Sequence, residues 1–600
     1  MPLSFSPDGS AQWRVRKIAV VGPGIVGTPM AAMLAHARIR IGGNDPARVV
    51  VIQRASATSG WKVAAINEGR SPIGGVEPEL DRLVSESVGA GLLSASHDPM
   101  EAADADVVLV CVQTDKRGSD PDYGPLFDAL HSVASALAQR PAGNLPLVVI
   151  ESTLAPSSMT TVVRKLFREH DLEEGRDVLL GNSPNRVMPG RLVERVSTSD
   201  KLVAGLDQRT PALVAELYRH IVTGGTVHPT SSLTAEIVKT LENAYRDVRI
   251  AFSAEICRWC DSNGVDFYAL RNQVNSRLQQ CDGASADPNA VPSGALLVPT
   301  VGVGGHCLPK DGVLLWWRRR QHGHDPRRSL ILQSRRINDA SPATVLEQLE
   351  RNFGPLRGRR VALLGAAYRF NSEDTRNSPT LVLGQLLQGQ GTLVRIHDPY
   401  VYATDQNLVR SGLGGCFTRE LRDAVADAEI LVFCTAHQDY ITGIDALLGD
   451  AREAVGVYDG CNLFHADRFT ERRLAYAGIG RGRILPTPEM VDFVTDGFRA
   501  VERGLAHELR TTIKFLNRQY GTSSFDSSSL EEVRRLAATC VTGCVIAETG
   551  PVFVPAPLDG FLPSLVRIAS RPLDLGERAS RAPSRRVGRT AEGQRENAAG

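Results

Sequence analysis

The run Val303-Gly304-Gly305-His306-Cys307-Leu308-Pro309-Lys310-Asp311 gathers a thiol, an imidazole, an amine and a carboxylate in one short stretch. Glycines let a loop approach a ligand closely. Beside His306 and Lys310 a thiol is shifted toward thiolate, the nucleophilic form. Asp311 follows as a base able to activate water. His306 is read as ordering the loop or touching a substrate, not as the base. A buried cysteine in a glycine-rich turn is the plain alternative for the same residues.

Lys239 and Asn243, in AEIVKTLENAYRDVRIAFSAE, share one helical face at i,i+4 spacing. An ammonium beside an amide can polarise a substrate oxygen and stabilise developing negative charge. Alone, such a pair is ordinary solvated surface.

Gly22-Pro23-Gly24-Ile25-Val26-Gly27 follows the strand-like KIAVV and opens a helical run. Gly22 allows the tight turn, Gly24 the approach of a pyrophosphate, and Gly27 close helix–strand packing. The helix N-terminus then holds the anion. Where an acidic residue should meet the ribose hydroxyls, the chain has Gln53-Arg54. Gln53 can bond a hydroxyl and Arg54 can tolerate a 2′-phosphate; NAD is expected over NADP. A structural βα turn is the alternative. Gly365-Ala366-Ala367-Tyr368-Arg369-Phe370-Asn371 and Asp374-Thr375-Arg376-Asn377-Ser378-Pro379 add two guanidinium forks in a loop after a strand. Such forks suit diphosphate or carboxylate, or are plain surface arginines. Cys257 and Cys260 form an isolated CxxC, read as two buried thiols, and no metal is expected.

These groups need a scaffold. At roughly 150 residues per domain, 600 residues suggest several units. KIAVVG (17–22), VVVIQ (49–53), DVVLVCV (106–112) and LPLVVIES (145–152) are near-continuous apolar runs, as in buried parallel strands. Residues 232–280 read as helix, with Ile237, Leu241, Ala244 and Val248 on one side, followed by a Gly/Pro-rich loop (282–312). A second block has RRVALLGAAY (359–368), TLVRIHDP (392–399), AEILVFCTA (428–436) and AVGVYDG (454–460). The expected fold class is α/β: two Rossmann-like doubly wound domains joined by a central helical domain, plus a disordered C-terminal tail. The boundaries are 1–229, 230–340, 341–520 and a low-complexity tail at 521–600.

With 68 Lys+Arg against 67 Asp+Glu, the formal charge of +1 gives no support to a nucleic-acid binder. No uncharged apolar run reaches the roughly 18–20 residues needed to span a bilayer, and the N-terminus lacks a signal-peptide core. Ten unpatterned Cys suit a reduced, cytoplasmic chain.

Taken in order, GPGIVG, ESTLAP (151–156), PNRVMPG (184–190), the Lys239/Asn243 helix, GVGGHCLPKD (302–311) and LGAAYRFNSEDTRNSP (364–379) resemble the nucleotide-sugar 6-dehydrogenases, the family of UDP-glucose and UDP-N-acetylmannosamine or -glucosamine dehydrogenases. The His before the Cys and the PxRVMPG block look more like the N-acetylhexosamine branch. The resemblance implies a four-electron oxidation of a UDP-sugar at C6 with NAD. Cys307 would carry the thiohemiacetal and thioester, Lys239 and Asn243 would steady the oxyanion, and Asp311 would activate water. It further implies NAD contacts at Thr114, Thr153, Lys310 and Arg376, and UDP-sugar contacts at Asn185, Arg186, Gly304, Gly305, His306 and Arg369. It implies a homodimer through the central helices. Departures are Asn185 for the family's Glu, Arg369 for Lys, Asp115 for Pro and Cys461 for Arg. Asn185 cannot take a proton at neutral pH. A two-electron β-hydroxyacid-type dehydrogenase and a non-catalytic nucleotide-sugar-binding paralogue are the competing readings.

Overall fold

The computed structural model describes residues 3–5, 11–75, 77–140, 145–187, 189–282, 294–521, 523, 525–540 and 543–571. Each apolar run of the first block is a strand. β1 (Lys17–Val21), β2 (Arg48–Ile52), β3 (Leu93–Ser96), β4 (Val107–Val110), β5 (Leu147–Ile150), β6 (Leu179–Asn182), β7 (Lys201–Gly205) and β8 (Val227–Ser231) form an eight-stranded sheet, ordered β8-β7-β6-β5-β4-β1-β2-β3. Ile18, Ala19 and Val20 are buried alike on both faces, as a parallel sheet between helical layers requires. Only β6 and β7 pair antiparallel. The strand order reverses between β1 and β4, which opens a crevice at their carboxyl ends.

The helical run is two helices, α2 (Ser232–Asn263) and α3 (Phe267–Arg277); α1 is Gly27–His36, after the glycine turn. Ser231 caps α2, its hydroxyl accepting from Thr234 N at 3.2 Å, and Gly264 ends it in the left-handed region at φ 68°. Ile237, Leu241, Ala244 and Val248 are all fully buried. Burial of each large aliphatic side chain is worth roughly 1.5–3 kcal/mol. Against α2 lie α4 (Leu308–Gln321) and α5 (Leu330–Asp339), followed in sequence by α6 (Ser341–Phe353). Gly312 permits this packing: a Cβ there lies 2.8 Å from Ile331 Cγ2.

The second block is a six-stranded, all-parallel sheet. It contains β9 (Arg360–Leu364), β10 (Leu393–His397), β11 (Phe417–Thr418), β12 (Ile430–Phe433), β13 (Gly456–Asp459) and β14 (Ala475–Gly478), ordered β11-β10-β9-β12-β13-β14. Its expected extent to residue 520 needs amending. α7 (Pro488–Tyr520) leaves this sheet and buries Val494, Leu505 and Leu509 in the core around α2.

A larger correction concerns the tail. Residues 521–571 are not a low-complexity appendage. They carry α8 (Leu530–Ala537) and α9 (Ser564–Ala569), and bury Val533, Leu536, Cys544, Ile546, Leu565 and Val566 in the same core as α2. The Ser- and Arg-rich composition hides an apolar stripe at helical spacing. The rest of the expected tail, 572–600, lies outside the described residues. No helix among the described residues is long and apolar enough to cross a membrane.

Candidate active site

The glycine turn at the end of β1 has the geometry its residues imply. Gly22 sits at φ 97°. A Cβ on Gly27 lies 2.1 Å from Gly22 O, so only glycine lets α1 close on the turn. Gly24 has nothing within 4 Å of its would-be Cβ, which leaves room for a pyrophosphate over the start of α1, beside Ile25 and the N-cap residue Val26. Lys62 donates to Pro23 O at 3.2 Å and brings a cation to the same turn. Gln53, at the end of β2, donates to Ser59 Oγ at 2.9 Å. Arg54 pairs with Asp128 at 3.1 Å on the exposed rim and is not a dedicated 2′-phosphate clamp. These residues fit a dinucleotide carrying a plain ribose.

Thr114 and Thr153 follow β4 and β5, at the mouth of the crevice. The Thr114 hydroxyl donates to Thr153 O at 2.8 Å, and Thr114 O accepts from His306 Nε2 at 2.6 Å. That bond assigns the ring proton to Nε2. Burial, with Lys310 and Arg376 alongside, pushes the His306 imidazole down to about 4, so it is neutral at ordinary pH. His306 therefore ties the cysteine loop to the crevice.

Cys307 is exposed and is the N-cap residue of α4. Lys239 is its charge partner. Burial works to lower the Lys239 ammonium, but Cys307, Asp311 and Glu242 outweigh it and hold it above its ordinary value. Asn243, one turn on, donates to Asp311 Oδ2 at 2.6 Å, and Lys310 donates to Asp311 Oδ1 at 2.9 Å. The thiol, the ammonium, the amide and the carboxylate thus form one cluster at the junction of α2 and α4.

The loop after β9 covers this cluster. Gly305 N donates to Arg376 O at 2.8 Å and Asn377 Nδ2 donates to Gly305 O at 2.9 Å. A Cβ on Gly304 lies 2.5 Å from Tyr368 Cβ, and Gly305 is at φ 85° under the Tyr368 ring. Both glycines therefore pack the cysteine loop onto the second α/β domain, which is a different role from facing a ligand with open space. Arg376 forks onto Asp374, with Nε–Oδ1 at 2.9 Å. Arg369 is half-buried, with its guanidinium 4.9 Å from the Phe370 ring and with Glu77 of the first domain in electrostatic reach.

Other expected contacts are placed differently. Lys310 is 1% exposed and bound to Asp311, so it braces a carboxylate and does not present itself to the crevice. Asn185 is buried between Glu151 and Lys201, accepting from Lys201 Nζ at 2.7 Å and donating to Glu151. Lys201 also binds Glu151 at 2.8 Å, and Tyr218 donates to the same carboxylate. The carboxylate that does neighbour position 185, Glu151, is ion-paired to Lys201. Arg186 is spent inside the protein. It donates to Glu242, Asp200 O, Thr539 Oγ1 and Leu536 O. Sequence reasoning missed Glu236, one turn before Lys239. Its carboxylate accepts from Ser157 N and Met159 N at 2.7 and 2.8 Å, pinning the loop after β5 to α2. A glutamate on the inner face of an apolar helix was the available signal.

A glycine-turn crevice, a cysteine at a helix N-terminus and a second Rossmann-like domain packed on the cysteine loop suit an NAD-dependent dehydrogenase. Residues 16–222, 233–340 and 362–466 match the NAD binding, central and UDP binding domains of the UDP-glucose/GDP-mannose dehydrogenase family. The chain is 31% identical over 473 residues to a UDP-N-acetyl-D-mannosamine dehydrogenase of Pyrococcus horikoshii, covering 78% of this chain and 100% of that one. It is 30% identical over 443 residues to an NDP-N-acetyl-D-galactosaminuronic acid dehydrogenase of Ralstonia solanacearum, covering 72% of this chain and 93% of the relative. A crystal structure of an NDP-N-acetyl-D-galactosaminuronic acid dehydrogenase from Methanosarcina mazei is similar at TM-score 0.62 and 31% identity, covering 78% of this chain and 96% of that one. The chain belongs to the UDP-glucose/GDP-mannose dehydrogenase family and is an NAD-dependent nucleotide-sugar dehydrogenase.

Proposed function

We propose that this protein oxidises the C6 primary alcohol of a UDP-N-acetylhexosamine to the carboxylate, in two two-electron steps, through Cys307. The observation that carries this reading is the placement of Cys307. It is exposed at the start of α4, beside Lys239, and its neighbour His306 is bonded to the crevice residue Thr114. Two NAD molecules, bound in turn, would each accept one hydride.

Lys239 and Asn243 face the reacting oxygen. As the alcohol loses its proton and becomes aldehyde, the Lys239 ammonium stabilises the developing oxyanion, an effect worth about 3 kcal/mol for a well-placed donor. The Cys307 thiolate adds to the aldehyde carbon to give a thiohemiacetal, and the aldehyde does not escape. Loss of the second hydride leaves a thioester. Water adds to it, the C–S bond breaks, and thiolate and carboxylate are released. In this reading Asp311, held by Lys310 and Asn243, takes the water's proton, since position 185 supplies none. The glycine turn and Thr114 hold the cofactor, and the loop from Arg369 to Arg376 caps the sugar nucleotide. A two-electron β-hydroxyacid reaction leaves both Cys307 and the second sheet without a task.

Assembly is read from the covering of α2. α2 exposes no large apolar side chain, being covered by α4, α5, α7 and α8 of the same chain. A homodimer through the central helical domain, as the resemblance implies, therefore uses surface beyond that covered stripe. We place the reaction in the cytoplasm and assign its product to polysaccharide building blocks.

NADH formed per UDP-sugar consumed tests the chemistry. Two per sugar with a UDP-N-acetylhexosamine, and none of the acid product from Cys307→Ala, is the expected result. One per sugar supports the two-electron reading, and full acid formation by Cys307→Ala removes the thioester route.

A further inference from the structure

The last family domain ends at residue 466, and a relative aligned over its whole length uses 78% of this chain. Beyond α7 the chain returns along α2 as a strap. Glu532 accepts from Thr230 at 2.7 Å, and Ser528 Oγ accepts from Thr234 at 3.0 Å. Farther along, Glu255 caps the start of α9, accepting from Ser564 N at 2.9 Å, and Phe561 stacks on Trp259 at 5.7 Å between centroids. Midway, the strap reaches the turn of α2 that carries Lys239 and Asn243.

That crossing is polar and buried. Arg186 and Glu242 form an ion pair with side chains only 6% and 4% exposed. A buried pair holds its geometry only when its remaining donors are satisfied. Arg186 Nη1 has Asp200 O at 2.9 Å and Thr539 Oγ1 at 2.9 Å, and Nη2 has Leu536 O at 3.1 Å as well as Glu242. Two of these acceptors belong to the strap. Glu242 sits between Lys239 and Asn243 in sequence and is itself an electrostatic neighbour of the Lys239 ammonium. With Glu242 drawn to Arg186, Lys239 is left to Cys307 and the substrate; the ammonium hydrogen-bonds to no carboxylate among the described residues.

We propose that the strap turn Leu536–Thr539 supports the catalytic cluster: Thr539 is a positioning residue that acts through Arg186 and Glu242 to keep Lys239 available. The claim rests on the reading of Lys239 and Cys307 given above.

Thr539→Val keeps the shape and removes the acceptor. It is expected to lower kcat about fivefold with an unchanged KM for NAD, and to move the pH midpoint of Cys307 alkylation by iodoacetamide upward, because a less available Lys239 favours the thiolate less. Thr539→Ser is expected to restore both. Wild-type kinetics and alkylation profile in Thr539→Val overturn the proposal. Failure of the underlying reading shows separately, as a wild-type protein that reduces NAD with no UDP-sugar.

Discussion

At the scale of single residues, the cysteine loop is held by a histidine that must stay neutral. Folded His306 titrates at about 4 against an ordinary 6.5, so between those values the unfolded chain binds more protons than the folded one. Stability therefore rises with pH through that window, is complete in this respect above 6.5, and is lost as pH falls toward 4. His306→Gln, which can still donate to Thr114 O, is expected to shrink the difference in urea midpoint between pH 4.5 and pH 7, a window set by the histidine's own range. An unchanged difference would show that other groups govern the acid limb. Residue types alone suggested Cys307 with Asp311 and, separately, Lys239 with Asn243; only the ordered set of motifs joined the two pairs, and the fold brings them together at the junction of α2 and α4. The occupation of Arg186 and Asn185 was not legible. Their partners, Leu536, Thr539 and Glu151, lie far along the chain, and nothing local to PNRVMPG announces them.

At the scale of elements, periodicity was a good guide. All eight quoted apolar runs became strands, and the helical stretch became α2 and α3. The break at Gly264 escaped notice because the apolar spacing resumes beyond it. The glycine turn shows what a type of residue can say about an element. Gly27→Ala must push the start of α1 off Gly22 O, a contact of 2.1 Å against backbone that cannot swing aside. A cost of about 1–3 kcal/mol is expected for such overpacking. The structural change falls on the pyrophosphate site, so NAD affinity should drop by about tenfold or more while UDP-sugar binding stays near wild type. Titration of each ligand by calorimetry, with a thermal melt alongside, checks this; equal loss of both ligands would mean a general loosening of the fold instead.

At the scale of the whole molecule, composition misled. A stretch rich in Ser, Pro and Arg reads as solvated, yet α8 has Val533, Leu536 and Ala537 on one buried face. Long-range docking of a short amphipathic helix leaves little trace in a sequence window. With the strap on α2, a homodimer of the 64.8 kDa chain must use surface beyond that apolar stripe; analytical ultracentrifugation at micromolar concentration is expected to find two copies, and a single copy would remove the homodimer. Glu236 adds a second restraint, since the helix carrying Lys239 also grips the loop after β5. A segment tethered to its own target meets it at an effective concentration that no dilution alters. A catalyst finished by its own C-terminal segment should therefore show the same specific activity at nanomolar as at micromolar protein, where one finished by a neighbour fades as copies drift apart.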